Sequence, residues 1–327
     1  MRICLSLPAS TSNIGAGFDI LGLALNIRNK FIINMNNTSI NKHYLKYTIS
    51  DFVKKTSPDY LTYYKDNDFD SLFFQTFFYI FNKASLPIPY ISLEVKVNIP
   101  PARGLGSSST IILAGMISAN EILRHKYNKA FNLFKIFSFA VSFEKHPDNI
   151  AASLWGGFVL SIKDYKNQWQ MPVKLRFHAP LQMAGIVPHF SLKTKKARNL
   201  ILKNISLDIL AYQSSRTALL THLLSLRKWE DEEYSLLRYA VQDKVHQNQR
   251  STLISGMKET FEAWEKLNCK GYFLSGSGTT LLGFWDKKTN LKKLNLTKAM
   301  KDLKLDASAI YPKIDTKGLI IEPNFSK

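Results

Sequence analysis

The sequence predicts a two-domain chain that mixes strands and helices. Three observations carry that prediction. First, 327 residues are enough for two domains sharing one large interface. Second, residues 91–97 are apolar at every second position, as in a strand, and a glycine–serine loop separates them from an apolar run over 111–123 that reads as a helix. Third, residues 271–284 read as strand, glycine–serine turn, strand.

Taken in order, residues 2–7 alternate like a strand and lead into a small, polar, glycine-bearing stretch, 8–19, expected to be a loop. Asn13 and Asp19 are pinned there between apolar segments, a common way to place ligands for a polar substrate. An apolar run follows at 20–25. Residues 28–70, rich in Asn, Lys, Tyr and Asp, are expected to form strands and a variable loop. Residues 72–81 are too aromatic to be exposed and are expected to form a buried helix.

The stretch from Pro100 to Thr110 is the centre of the chain. Gly104 and Gly106 let the backbone turn where a side chain would clash. Ser107, Ser108 and Ser109 supply hydroxyls and are expected to cap the helix. The first N–H groups of a helix lack internal partners and carry partial positive charge, so the loop could cradle a phosphate. It is neither a lysine-bearing Walker loop nor a dinucleotide fingerprint. From these residues alone, a phosphate site and an ordinary capped helix start are equally open.

A second apolar helix is expected over 130–143, running into Glu144, His146, Pro147, Asp148 and Asn149. Pro147 would break it, and Asp148 or Asn149 would cap the next helix. One histidine with two carboxylates is poor zinc spacing, whereas magnesium suits one or two carboxylates plus substrate phosphates. Strands are expected at 158–162 and 181–188, then a helix capped by Thr194, and further helices at 206–228 and 232–247. In isolation the lysine-rich start of the Thr194 helix reads as a solvated basic face.

Composition bounds the function class. The formal net charge of +19 could mark a nucleic-acid surface. The lysines are instead spread along the chain, from Lys42 and Lys54 to Lys195 and Lys293, with no arginine-rich arm or aromatic RNA-reading motif. The charge favours anionic small ligands through a general field. Cys4 and Cys269 have no metal-type spacing, and a reduced cytoplasmic setting is expected. No apolar run reaches membrane-helix length, and the first residues lack the long apolar region of a signal peptide.

The Pro100–Ser109 stretch resembles the phosphate loop of the GHMP kinases, Pro-x-x-x-Gly-Leu-Gly-Ser-Ser-Ala, with Ser109 in place of alanine. The segment from Pro8 to Gly22 is similar to the homoserine kinase signature Pro-Ala-x-x-x-Asn-x-Gly-x-Gly-Phe-Asp-x-Leu-Gly. Glu144 to Gly157 resembles Glu-x-His-Pro-Asp-Asn-x-Ala-x-x-x-x-Gly-Gly of the same branch. Residues 193–198 resemble Ser-Thr-Lys-Glu-Ala-Arg, with Lys193 for serine and Lys196 for glutamate, and 243–250 resemble Asp-x-x-His-Gln-x-x-Arg. Ser275 to Thr280 resembles the third family motif, with Thr279 for proline. Residues 314–322 look like the end of homoserine kinases.

This resemblance implies an α+β, two-domain GHMP kinase fold. The N-terminal domain (1–163) would be ribosomal protein S5 domain 2-like with a left-handed βαβ crossover, and the C-terminal domain (164–327) ferredoxin-like. It implies ATP-dependent phosphorylation of L-homoserine, a step toward threonine, with ATP and Mg²⁺. Nucleotide would contact Ser71, Pro101, Arg103, Gly104, Leu105, Gly106, Ser107, Ser108 and Ser109, where Ser71 matches a base-binding asparagine. Ser108 and Glu144 would hold the metal. Asn13, Asp19, His146, Thr194, Arg198 and Arg250 would bind substrate. Catalytic roles would fall to Glu144, Asn149 and Arg198, Asn149 standing where several relatives carry an aspartate. His246 reads more readily as structural than as a base. No nucleic acid or membrane partner is implied, and a homodimer is an open option. Two alternatives remain: a kinase for another small alcohol, and an idle binding module.

Overall fold

The structure is a computed structural model, and it describes residues 1–35, 42–66, 71–294, 296 and 305–324. The chain opens with long strands β1 (Arg2–Asn13) and β2 (Gly17–Met35), then β3 (Tyr44–Ile49), α1 (Asp51–Thr56) and α2 (Leu72–Ala84). Next come β4 (Ile91–Val97), α3 (Ser107–Tyr127), α4 (Leu133–Glu144), α5 (Asp148–Trp155), β5 (Phe158–Leu160) and β6 (Val173–Leu175). The remainder is β7 (Leu181–Pro188), α6 (Thr194–Arg198), α7 (Leu207–Ser225), α8 (Asp231–Ala240), α9 (Gln247–Ser251) and α10 (Met257–Lys266), then β8 (Gly271–Leu274), β9 (Leu281–Asp286), β10 (Ala307–Ile310) and β11 (Ile320–Asn324).

Two sheets organise the molecule. The first runs β11-β1-β2-β4-β3, with β5 on β2 and β6 on β5. Within it β3 and β4 are parallel, and α1 and α2 lie between them in the chain. The second is antiparallel with order β10-β7-β9-β8, which is the 4-1-3-2 order of a ferredoxin-like half. The sheets do not divide at residue 163: β6 and β11 belong to the first sheet, so the end of the chain returns to the N-terminal half. Arg28 donates to the Asp315 carboxylate and holds that returning segment.

One core packs α2, α3 and α4 against the first sheet, built on Phe31, Phe73, Phe77 and Phe137. Another packs α10 on the second sheet, around Trp264 and Trp285. A third lies between the halves and takes Ala9, Leu23 and Phe158 from one and Val187, Phe273 and Phe284 from the other. Among the described residues no helix is long and apolar enough to cross a membrane.

Several local expectations differ from the structure. Residues 8–13 are strand, because β1 stays paired to β2 through two register shifts. Pro8 is tolerated there because β11 pairs only with Arg2 to Ser6, leaving the other edge of β1 free beyond that point. Gly106, not a serine, is the N-cap of α3. Lys193 rather than Thr194 precedes α6, and Pro147 precedes α5. The helix expected over 232–247 ends at Ala240. Asp243 then accepts from the N–H groups of Val245, His246 and Gln247 and restarts the helix as α9.

Candidate active site

The free edge of β1 explains how the site is assembled. Ser10 N–H donates to Leu105 O at 3.1 Å, docking the glycine–serine loop, and Gly276 N–H donates to Ser12 O at 3.2 Å, docking the β8–β9 turn. The two turns also bind each other. Thr280 N–H donates to Arg103 O at 3.0 Å, and Ser275 Oγ to Gly104 O at 2.6 Å. The glycines are required by this closeness. Gly104 has φ +75°, and a Cβ there would stand 2.2 Å from Ser275 O. A Cβ on Gly106, at φ +68°, would stand 2.1 Å from Ser10 Oγ.

Below these turns lies a cavity of about 380 Å³. Pro101, Gly104, Leu105, Gly106, Ser107 and Ser108 line one wall; Glu144, His146, Asp148 and Asn149 line another. Ser12, Asn13, Asp19, Lys193, Thr194, Arg198, Arg250, Gly276 and Ser277 close the far end. Tyr63, Tyr64, Leu72 and Ile111 add an apolar side.

With glycine as N-cap, no side chain occupies the first N–H groups of α3, which face the cavity as an anion cradle. Ser108 Oγ donates to Glu144 Oε1 at 2.7 Å. Burial pushes the Glu144 carboxyl up from its ordinary range, and the Ser108 hydrogen bond partly offsets that rise. A carboxylate, a hydroxyl and incoming phosphate oxygens form a hard-oxygen set that fits Mg²⁺. Among the described residues no cluster of three or more His, Cys, Asp or Glu could hold a metal by itself.

Asn149 is fully engaged. Its Oδ1 accepts from Ser10 Oγ at 2.8 Å, and its Nδ2 donates to Ser12 Oγ at 3.0 Å and Asp148 Oδ1 at 3.2 Å. An amide held in this way orients the floor of the site and does not take up a proton. Asp148 is buried beside it; burial first, and then the Asp19 charge, push its carboxyl up to about 7. Burial, with Arg198 next, lowers His146 to about 4, so it is a neutral wall at ordinary pH.

The arginines arrive from the C-terminal half. Arg198 pairs with Asp19 across the cleft. Both Arg198 and Arg250 lie over the Phe18 ring, at 5.5 and 5.8 Å from its centroid. Arg250, almost fully buried, donates to Gly276 O at 2.8 Å and contacts His246 Nδ1 at 3.3 Å. His246 Nε2 meets Gly15 O at 2.9 Å and is itself buried, so it is a brace. Asn13 accepts from Asp19 N–H and donates to Gly276 O, pinning both segments. Thr194 Oγ1 meets Ser277 Oγ at 3.2 Å.

Three expected residues do not line the cavity. Arg103 is wholly buried and spends its guanidinium on Thr56 O, Pro101 O, His189 O and Asp59. Ser109 points into the packing behind α3, and its Oγ has no partner. Ser71 precedes α2 with its Oγ buried and unpartnered, while its neighbour Leu72 reaches the cavity. Sequence reasoning missed Ser12, Tyr63, Tyr64, Lys193 and Ser277 as cavity residues, and offered Asp148 only as a helix cap. The glycine–serine turn was the signal for Ser277, whereas nothing local marks Tyr63 or Tyr64.

Residues 71–157 match the family described as the GHMP kinases N terminal domain. The chain is 33% identical to the homoserine kinase of Clostridium beijerinckii, over 98% of each chain. It is 36% identical to that of Desulfitobacterium hafniense, over 84% of each. The crystal structure of homoserine kinase from Cytophaga hutchinsonii superposes with a TM-score of 0.77 at 23% identity, over 98% of this chain and 97% of that one.

Proposed function

The chain belongs to the homoserine kinase family of the GHMP kinases, and on that premise we propose that its cleft transfers the γ-phosphoryl group of ATP to the hydroxyl of L-homoserine. The observation that carries this reading is the pairing, in one cavity, of an uncapped glycine-led helix start with two arginines stacked on one ring. The first suits a polyphosphate and the second a carboxylate.

In this reading the phosphates lie against Gly104, Gly106, Ser107 and Ser108. Arg198 and Arg250 take the substrate carboxylate, with Thr194 at the rim. The substrate ammonium lies by Asp19 and Asp148, beside Asn13 and His146. Its hydroxyl oxygen forms the new bond to Pγ, the bond from Pγ to the β–γ bridging oxygen breaks, and ADP leaves. The hydroxyl proton passes to the oxygens of the transferred group, because the Asn149 amide is not a base. Phosphoryl transfer through a loose transition state asks chiefly for positioning and charge stabilisation. Ser108 and Glu144 would hold Mg²⁺, which offsets charge on the phosphates. The threonine-forming role and a cytoplasmic setting belong to the same reading, and two free thiols support the latter.

The test is ADP release with L-homoserine as Mg²⁺ is titrated. Wild-type protein should depend on Mg²⁺, and Glu144→Gln should need markedly more of it. An unchanged titration would put the metal elsewhere.

A further inference from the structure

The cleft has an unresolved charge requirement. Asp19, Glu144 and Asp148 bring three acidic side chains to its lining. Its arginines are engaged, Arg198 with Asp19 and Arg250 with a backbone carbonyl and His246. The glycine–serine loop has no lysine, and its one cation, Arg103, is buried facing away. Backbone N–H groups supply partial charge only, whereas a nucleoside triphosphate brings several full negative charges.

Lys193 differs from every other cation here. It lines the cavity from the opposite half of the chain. Leu192, just before it, donates its N–H to Ala102 O of the glycine–serine loop at 3.2 Å. Thr194, just after it, meets Ser277 of the facing turn. Its two neighbours thus hold the segment against both turns, Leu192 through its backbone and Thr194 through its side chain. The side chain is exposed, and among the described residues its ammonium has no ion pair or hydrogen bond. A lysine is a compact, mobile point charge on a four-carbon stem, suited to follow a phosphate.

We propose that Lys193 is the phosphate-binding cation of this site, reaching across the cleft to the terminal phosphates of the nucleotide. It completes a loop that lacks a lysine of its own, and it couples nucleotide binding to contact between the two halves. The proposal rests on the kinase reading for the identity of the anion.

The experiment measures dissociation constants for MgATP, MgADP, AMP and adenosine with wild type, Lys193→Gln, Lys193→Arg and Lys196→Gln. Lys193→Gln should weaken MgATP about tenfold, which is about 1.4 kcal/mol, and leave adenosine within about twofold. Lys193→Arg should recover most of the loss. Lys196→Gln removes a neighbouring exposed charge that does not line the cavity and should stay within about twofold, excluding a general field. The proposal is overturned if Lys193→Gln binds MgATP like wild type, if adenosine weakens equally, or if Lys196→Gln loses as much. The readout is binding, so a protein that binds MgATP but does not phosphorylate homoserine would sink the substrate assignment and still decide Lys193.

Discussion

Asp148 is the residue whose chemistry depends most on its setting. Burial and the neighbouring Asp19 raise its carboxyl to about 7, so the empty site holds a proton there below that pH. A substrate ammonium favours the carboxylate, and binding below pH 7 must therefore release the proton. The affinity for L-homoserine should fall by as much as about tenfold per pH unit below 7 and level off above it. Thermal shifts with saturating homoserine at pH 6 and pH 8 measure this, and the shift should be larger at pH 8. An equal or larger shift at pH 6 would remove Asp148 from ammonium binding. At this scale much was legible in the sequence. Asn13, Asp19, Glu144, His146, Asn149, Arg198 and Arg250 are separated widely in the chain and meet in one cavity. Arg103 and Ser109 lie outside the cavity lining, because a motif position does not say which way a side chain points. The carbonyls that claim Arg103 come from Thr56 and His189, segments with no pattern linking them to the loop.

At the scale of elements, the site depends on β1 running beyond β11. Its free edge takes the glycine–serine loop through Ser10 and the β8–β9 turn through Ser12. A composition of Pro, Ala, Ser, Thr and Asn reads as loop, and only the pairing with β2 and the two docked turns make it strand. The Asp243 turn was missed for a related reason: its carboxylate caps α9 by satisfying three successive N–H groups, which helical periodicity does not reveal. The strands at 91–97 and 181–188 and the helix from 72 were legible, because alternation and aromatic density follow directly from which face is buried. Gly104 tests the docking. Alanine there would need a strained φ and would drive Cβ into Ser275 O, a backbone atom that cannot swing away. Gly104→Ala should part the two turns and weaken MgATP binding by at least about tenfold, on the scale of 1–3 kcal/mol for overpacking. Binding within twofold of wild type would show that the turns need not touch.

For the whole molecule, the two halves share a core. The middle cluster draws apolar side chains from both sheets, and β11 returns to pair with β1. A boundary read from sequence at 163/164 therefore marks where the motifs change, not where the molecule separates. Because each half buries its inner face on the other, unfolding should be a single cooperative transition, with far-ultraviolet dichroism and the fluorescence of buried Trp264 and Trp285 changing together. Two resolved transitions would mean that the halves are independent. Shared burial also explains how Arg198 and Arg250 are carried into one cavity with the glycine–serine loop of the other half. The central claim is that this composite cleft recognises an amino-acid alcohol by its carboxylate and passes it a phosphoryl group. ADP release with Mg-ATP, compared across L-homoserine, L-serine, L-threonine, mevalonate and the homoserine analogue whose carboxylate is reduced to an alcohol, tests it most directly. The account predicts turnover with L-homoserine, and little with the reduced analogue or mevalonate. Equal turnover of the reduced analogue, or no turnover of L-homoserine by folded protein that binds ATP, would contradict it.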